Sequence, residues 1–394
     1  MEFRFTPEEE SFRGEIREFL RRELPADWGG AGALGEADED RWQFLRSFQR
    51  RLAERKWLTL GWPQEHGGLA ASHMMQVIYS EEMTYFRAPT QIGVGPDRVG
   101  PTIILYGTEE QKRRHLPGIA AGDTVWCQGF SEPAAGSDLA SLQTSAVAEG
   151  DFFVVNGQKI WTSFAHKADW CILLARTDPE APKHKGISYF LLDMTTPGID
   201  VRPLVDMAGR HTFNEIFFDN VRIPRDCLVG EFNRGWYVAA ATLDFERSGI
   251  NRVVTGIRVY EDLVQYVAQS QQDGGRRLPD DTRVRTKLAE LAIEFQAGRL
   301  LAYRVASMQA RGQIPNAESS MSKLYGSELQ QRLAGAGMEI MGMGGQLEPG
   351  SPWAPLQGRV EAFYLLAVAL TIAAGTSEIM RGIIAGRGLG LPRG

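Results

Sequence analysis

The chain reads as mainly α-helical with a β domain in its middle, and three observations predict that architecture. Apolar residues recur at helical spacing through roughly the first third. From about Thr124 the pattern shortens to β-type runs punctuated by Pro, Gly and Asp. After Gly230 the helical period returns and holds to the end. A chain of 394 residues has room for two or three domains. The pattern divides it into an N-terminal helical domain over 1–122, a middle β domain over 123–232 and a C-terminal helical bundle over 233–394.

The elements follow in order. Thr6-Pro7-Glu8-Glu9 supplies an N-cap, a proline at the first helical position and a glutamate that reaches back, and Phe12, Ile16, Phe19 and Leu20 then share one face. Trp42, Leu45, Phe48 and Leu52 repeat the helical period, and Thr108-Glu109-Glu110-Gln111 is a second capping box. Gly30-x-Gly32-x-x-Gly35 has the letters of a dinucleotide fingerprint, but a helix and Trp28 precede it and an acidic run follows, so it reads as a loop. In the middle third, 151–155 and 158–162 flank Asn156-Gly157 and predict a hairpin there. Runs at 170–174, 187–192 and 215–218 are further strands of a small sandwich or barrel. Helices are expected over 236–267, 282–310, 319–341 and 359–372, enough for a four-helix bundle.

Composition removes several function classes. The formal net charge is -6 with acids and bases intermixed, so no basic stripe offers nucleic acid a footprint. The longest apolar run, 362–374, is shorter than the ~20 residues of a membrane span. The acidic start Met1-Glu2-Phe3 lacks signal-peptide features, which predicts a cytoplasmic protein. Cys127, Cys171 and Cys227 form no CxxC pattern, an odd number that suits a reducing compartment. The six histidines show no ligand spacing, so no metal site is expected.

Four motifs carry the chemistry. Gly129-Phe130-Ser131-Glu132-Pro133-Ala134-Ala135-Gly136-Ser137-Asp138 comes first, then Asn156-Gly157-Gln158-Lys159-Ile160-Trp161-Thr162-Ser163, then Val221-Arg222-Ile223-Pro224, and more weakly Asn233-Arg234-Gly235-Trp236. Each alone would pass as a turn or a core tryptophan. In this order and at this spacing, together with Ala374-Gly375-Thr376-Ser377-Glu378, they resemble the acyl-CoA dehydrogenase family over nearly the whole chain.

The resemblance implies FAD as cofactor. Gln128, Phe130, Ser131 and Gly136 would lie along the flavin, Trp161 and Ser163 would cover its other side, and Ser137 would sit where flavin and thioester meet. Gly342, in the glycine-rich loop, and Thr376 and Glu378 would touch the cofactor from the C-terminal helices. A flavin needs hydroxyl and backbone donors near N1, O2 and N5 and an aromatic wall against water, and these residue types supply them.

Oxidising an acyl thioester to its 2,3-enoyl form demands a positioned base and a polarised carbonyl. The family commonly places its catalytic glutamate where this chain has Ala374, whose backbone N–H remains available to the thioester carbonyl beside Gly375. A minority of members carry the glutamate instead on the first long helix of the C-terminal domain, followed by arginine. Leu243-Asp244-Phe245-Glu246-Arg247 matches that version, so Glu246 is the expected base, with Asp244 and Arg247 toward CoA.

Two departures bear on the cofactor. Gln271-Gln272-Asp273-Gly274-Gly275 stands where the family commonly has an arginine reaching the FAD pyrophosphate of a neighbouring subunit, and Glu339 replaces the usual glutamine before the glycine-rich loop. Arg276 or Arg277 is a candidate substitute. The expected function is FAD-dependent α,β-dehydrogenation of an acyl-CoA with electrons passing to an electron-transfer flavoprotein, in a homotetramer or homodimer. One alternative is a partner subunit that completes a heteromeric FAD site, as in the branch acting on steroid side-chain CoA esters. That branch shares stretches like Gly274-Gly275-Arg276-Arg277-Leu278 and Gly390-Leu391-Pro392-Arg393. The other is a flavin oxidase or monooxygenase, against which Ala374 counts because the nitroalkane-oxidising relatives hold an acid there.

Overall fold

A computed structural model describes residues 4–26, 28, 39–244, 249–270 and 277–392, with the backbone alone at 243 and 244. The helices are α1 (Pro7–Glu23), α2 (Glu39–Glu54), α3 (His73–Tyr85), α4 (Gly100–Tyr106), α5 (Glu109–Ala120), α6 (Gly235–Asp244), α7 (Ile250–Gln269), α8 (Thr282–Ala310), α9 (Asn316–Met341), α10 (Arg359–Leu370) and α11 (Ser377–Ile383). The strands are β1 (Trp126–Gly129), β2 (Ser145–Glu149), β3 (Phe152–Lys159), β4 (Trp170–Arg176), β5 (Ile187–Asp193), β6 (Ile199–Val205), β7 (His211–Pro224) and β8 (Leu228–Val229). Both capping boxes form, Thr6 with Glu9 and Thr108 with Gln111. The glycine-rich loop at 29–35 lies outside the described residues.

The chain divides into two compact units. The first comprises Met1–Trp28, Ser72–Ala88 and Arg247–Gly394. Its core joins α7, α8, α9 and α10 through Val253, Leu263, Phe295, Leu329, Leu333 and Val360, each of which contributes about 1.5–3 kcal/mol by burial. Where α1 meets α3 and α8 the packing is ionic. Arg13 bridges Glu81 and Glu82 at 2.9 and 2.6 Å, Arg17 adds a bond to Glu82, and Arg299 and Tyr303 bond Glu81. Burial would raise the Glu81 carboxyl, but Arg299 and Arg13 outweigh it and hold it below the usual range.

The second unit comprises Gly29–Ala71 and Pro89–Glu246 and is built on one eight-stranded sheet in the order β6-β7-β3-β2-β4-β5-β8, with β1 parallel to β4. β4 and β5 are buried almost throughout, as their continuous apolar runs require, and α6 packs on β5. Cys127, Cys171 and Cys227 are all buried and unbridged. Among the described residues no helix is long and apolar enough to cross a membrane, and no cluster of His, Cys, Asp and Glu could hold a metal.

Two expectations are corrected. Asn156-Gly157 is not a hairpin turn: β3 runs through it, pairing β2 on one side and β7 on the other, with a bulge between Val155 and Gly157. The glycine serves a close approach, since a Cβ on Gly157 would stand 2.6 Å from Thr144 Oγ1. The hairpin lies one strand earlier, where Gly150 at φ +58° turns β2 into β3. The single helix expected over 236–267 is interrupted, because Gly249, at φ +72°, precedes α7. A residue in the left-handed region leaves the α path, and glycine takes it without strain.

Candidate active site

β1 delivers the first group of residues. Gln128 accepts from Arg98 Nη1 at 3.5 Å, and Phe130 is buried edge-on to Tyr189 at 5.9 Å. Ser131 is half-buried and its carbonyl accepts from Ile160 N at 3.0 Å. Gly136 and Ser137 lie further along the same loop and are exposed.

A buried ion pair sets the exit angle of that loop. Lys159 Nζ, 0% exposed at the end of β3, donates to Glu132 Oε1 at 2.8 Å and to the Phe130 carbonyl at 3.0 Å. The Glu132 carboxylate also accepts from the backbone N–H groups of Gln143 at 2.6 Å and Thr144 at 2.9 Å. Burial pulls the Lys159 ammonium down to about 8 against the opposing pull of Glu132. Burial pushes the Glu132 carboxyl up, and Lys159 with the two amides more than offsets it, leaving it below the usual range. Glu132 and Lys159 both stand inside the quoted motifs, yet nothing in the letters alone says that they meet.

Beyond Lys159 the chain makes a strained turn. Trp161 and Phe164 both occupy the left-handed region, at φ +60° and +61°, which costs non-glycine residues about 1–3 kcal/mol each. The result separates neighbours: Trp161 is 55% exposed with its edge against Phe213, Thr162 is fully buried, and Ser163 is half-buried. Asn214 on β7 exchanges both backbone bonds with Thr162 and adds a third from its side chain. Because Ile160 bonds Ser131, this turn and the β1 exit are directly joined, bringing together Gln128, Phe130, Ser131, Trp161 and Ser163. An exposed indole with half-exposed hydroxyls and a carboxamide fits the donor set and aromatic wall that a flavin ring asks for.

In the helical unit a second turn links α10 to α11. Ala374 sits at φ +55° and Gly375 at φ +92°. Buried Lys323 on α9 donates to the Gly375 carbonyl at 2.5 Å and the Leu370 carbonyl at 3.2 Å, so one ammonium fixes both sides of the turn. Thr376 caps α11 by accepting from Ile379 N at 3.2 Å. Thr376 and Glu378 line an open cleft of about 640 Å³ together with Glu328, Gln331, Arg332 and Arg381. Gly342, at φ +55°, ends α9 and is not among the residues that line this cleft. Glu339 lines a smaller cleft of about 260 Å³ with Lys287, Glu290, Glu294 and Arg332, where carboxylates outnumber cations and Arg332 is already paired with Glu294 at 3.2 Å.

Asp244 is the last residue of α6 and its side chain is not described. Glu246, Arg247 and the stretch from Gln271 to Arg276 lie outside the described residues. Arg277 is exposed at the start of a short helical turn, Leu278–Asp280. Lys323 and Asn214 were not legible as site residues, since a lone lysine among serines and an asparagine in a strand carry no motif.

Known proteins match the chain from end to end. Three family models match in chain order: acyl-CoA dehydrogenase N-terminal domain over residues 6–123, middle domain over 127–221 and C-terminal domain over 233–389. Acyl-CoA dehydrogenase IpdE1 of Mycobacterium tuberculosis is 38% identical over 393 residues, covering 98% of each chain. The Tcur3481-Tcur3483 steroid ACAD structure superposes with a TM-score of 0.89 at 35% identity, over 100% of both chains. The ChsE4-ChsE5 complex from Mycobacterium tuberculosis gives 0.89 at 36% identity, again over 100% of both. Matched from end to end, with its helical, sheet and helical segments in the family's order, this chain belongs to the acyl-CoA dehydrogenase family, whose members are flavoproteins.

Proposed function

We propose that the protein binds FAD and dehydrogenates an acyl-CoA thioester to the trans-2-enoyl-CoA, with electrons passing to an electron-transfer flavoprotein. The observation that carries this reading is the Ala374 turn. Its left-handed backbone is kept, with a buried lysine holding it, although the residue has no carboxyl to present. A chain that had abandoned the chemistry would have no need to hold alanine at φ +55°.

FAD, when bound, supplies the acceptor for the hydride that leaves the β-carbon. The chain's own residues do the rest. Gln128, Phe130, Ser131, Gly136 and Ser137 hold the ring edge and its approach, while Trp161 excludes water and Ser163 offers a donor. The backbone N–H of Ala374, beside Gly375, polarises the thioester carbonyl, which lowers the cost of removing the α-proton. Glu246 takes that proton onto its carboxylate, and Asp244 and Arg247 serve the CoA. Gly342, Thr376 and Glu378 belong to the cofactor's remaining length.

An anaerobic titration tests it. The purified protein is yellow and bleaches on addition of an acyl-CoA; Glu246→Gln retains FAD and loses the bleaching rate by on the order of 10³ to 10⁴-fold. A fully active Glu246→Gln protein ends the assignment.

A second reading, that another subunit completes the FAD site, is favoured by the acidic cleft at Glu339. Excess carboxylate repels a diphosphate, so the compensating cation would come from a partner. The Tcur3481-Tcur3483 steroid ACAD and the ChsE4-ChsE5 complex are paired proteins, which supports the same reading, and the first supports a steroid-derived acyl group. A colourless protein that turns active only with a second subunit would establish it.

A further inference from the structure

The Trp161 turn is held by more than strand pairing. Thr162 and Asn214 exchange two backbone bonds, N to O at 3.0 and 3.1 Å, as any antiparallel pair does. Asn214, 0% exposed, then adds its side-chain Nδ2 to the same Thr162 carbonyl at 2.9 Å. A carbonyl oxygen only accepts, so the amide cannot be flipped: nitrogen must face Thr162 and oxygen must face the other way. That oxygen meets His211 Nε2 at 2.8 Å, which therefore carries a hydrogen. The second amide hydrogen meets His166 Nδ1 at 3.2 Å, which therefore presents a lone pair. The two imidazoles stack at 4.2 Å and lock each other's ring planes.

We propose that Asn214, oriented by His166 and His211, is a positioning residue that holds the exposed Trp161 ring and the Ser163 hydroxyl at their working places. Left-handed Trp161 and Phe164 flank Thr162, so the turn stores strain on both sides of the one carbonyl that Asn214 grips. Both amide hydrogens and the amide oxygen have a partner, so the side chain has one orientation, and through Thr162 the turn has one as well. The role in catalysis rests on the reading above that Trp161 and Ser163 face the flavin.

The test uses Asn214→Asp, which keeps the acceptor for His211 and removes the donors to Thr162 and His166. In protein labelled with 5-fluorotryptophan, nine fluorine resonances are expected from nine tryptophans, and the Trp161 line is identified by its loss in Trp161→Phe. In Asn214→Asp that line shifts and broadens. In the FAD-loaded protein, flavin reduction by an acyl-CoA slows by about tenfold to a hundredfold at unchanged half-saturation, since misplacement by a fraction of an ångström acts on the rate rather than on binding. An unmoved Trp161 line with a normal reduction rate, even at a lowered melting point, overturns the proposal. Should Asn214→Asp fail to fold, His166→Leu removes the Nδ1 contact to Asn214 and the stack on His211 and must move the same line in the same direction; no movement there also overturns it. A wild-type protein that takes up no flavin would sink the flavin reading, while the fluorine spectra would still decide whether Asn214 governs Trp161.

Discussion

Two strained turns, one in each compact unit, are built by opposite means. The Trp161 turn, in the sheet unit, is gripped by a side-chain network in which an amide, two imidazoles and a carbonyl match donor to acceptor. The Ala374 turn, in the helical unit, is gripped by a single charge, the Lys323 ammonium shared between two carbonyls. Such a network is directional and fixes side-chain orientation. A point charge is strong and tolerant of angle, which suits holding a backbone whatever side chain stands on it.

The largest effect is expected at position 374. If the Ala374 turn is an intact base-bearing turn that has lost only its carboxyl, then Ala374→Glu introduced into Glu246→Gln restores flavin reduction by roughly tenfold or more over the single variant. No recovery in stopped-flow bleaching would mean that the turn no longer points where the family's does.

The next effect is on stability. Glu132→Gln strands the buried Lys159 ammonium and is expected to cost about 3–5 kcal/mol in denaturant unfolding, and adding Lys159→Met removes that ammonium and recovers part of the loss. No recovery in the double variant would overturn that account. Lys323→Met leaves the Gly375 and Leu370 carbonyls short of a donor, with an expected loss of about 2–3 kcal/mol.

Acid acts on the Glu132–Lys159 pair. The folded Glu132 carboxyl lies below its ordinary 4.5 and returns to it on unfolding. Its contribution is therefore complete above that value and fades as pH falls through the lower, folded one. Urea midpoints recorded between pH 7 and pH 3 should fall less steeply for Glu132→Gln than for wild type; parallel curves would remove Glu132 from the acid response. The smallest effect tests the strain itself: Ala374→Gly should raise stability by about 0.5–1 kcal/mol, because glycine occupies φ +55° without penalty. A loss would mean that Ala374 is not strained.

Much of the fold was legible because its signals are local. Thr6 and Thr108 announced their helices through caps that involve neighbours three residues away, and α8 was readable from end to end from its period. Asn156-Gly157 misled for the complementary reason: the dipeptide suits a tight turn, but β7 and β2 offered pairing on both sides and Gly157 was needed against Thr144. The motif residues of the site were visible as letters. Their supports were not, since Glu132 and Lys159 are 27 residues apart, Thr162 and Asn214 are 52 apart, and Lys323 and Gly375 are also 52 apart.

By itself the amino-acid order determined the alternation of helical and sheet segments, the places where helices begin, the residue types available to a flavin and the absence of a carboxyl at position 374. Those are properties of short windows, governed by backbone propensity, capping and side-chain chemistry. Only the tertiary structure decided that Lys159 is neutralised by Glu132, that one asparagine amide has a single permitted orientation beneath Trp161, and that a lysine from α9 braces the Ala374 turn. Each of these joins groups distant in sequence inside a medium of low polarity, where an unmatched charge or hydrogen-bonding group is costly, so the partners are chosen by the packed fold and not by any local pattern.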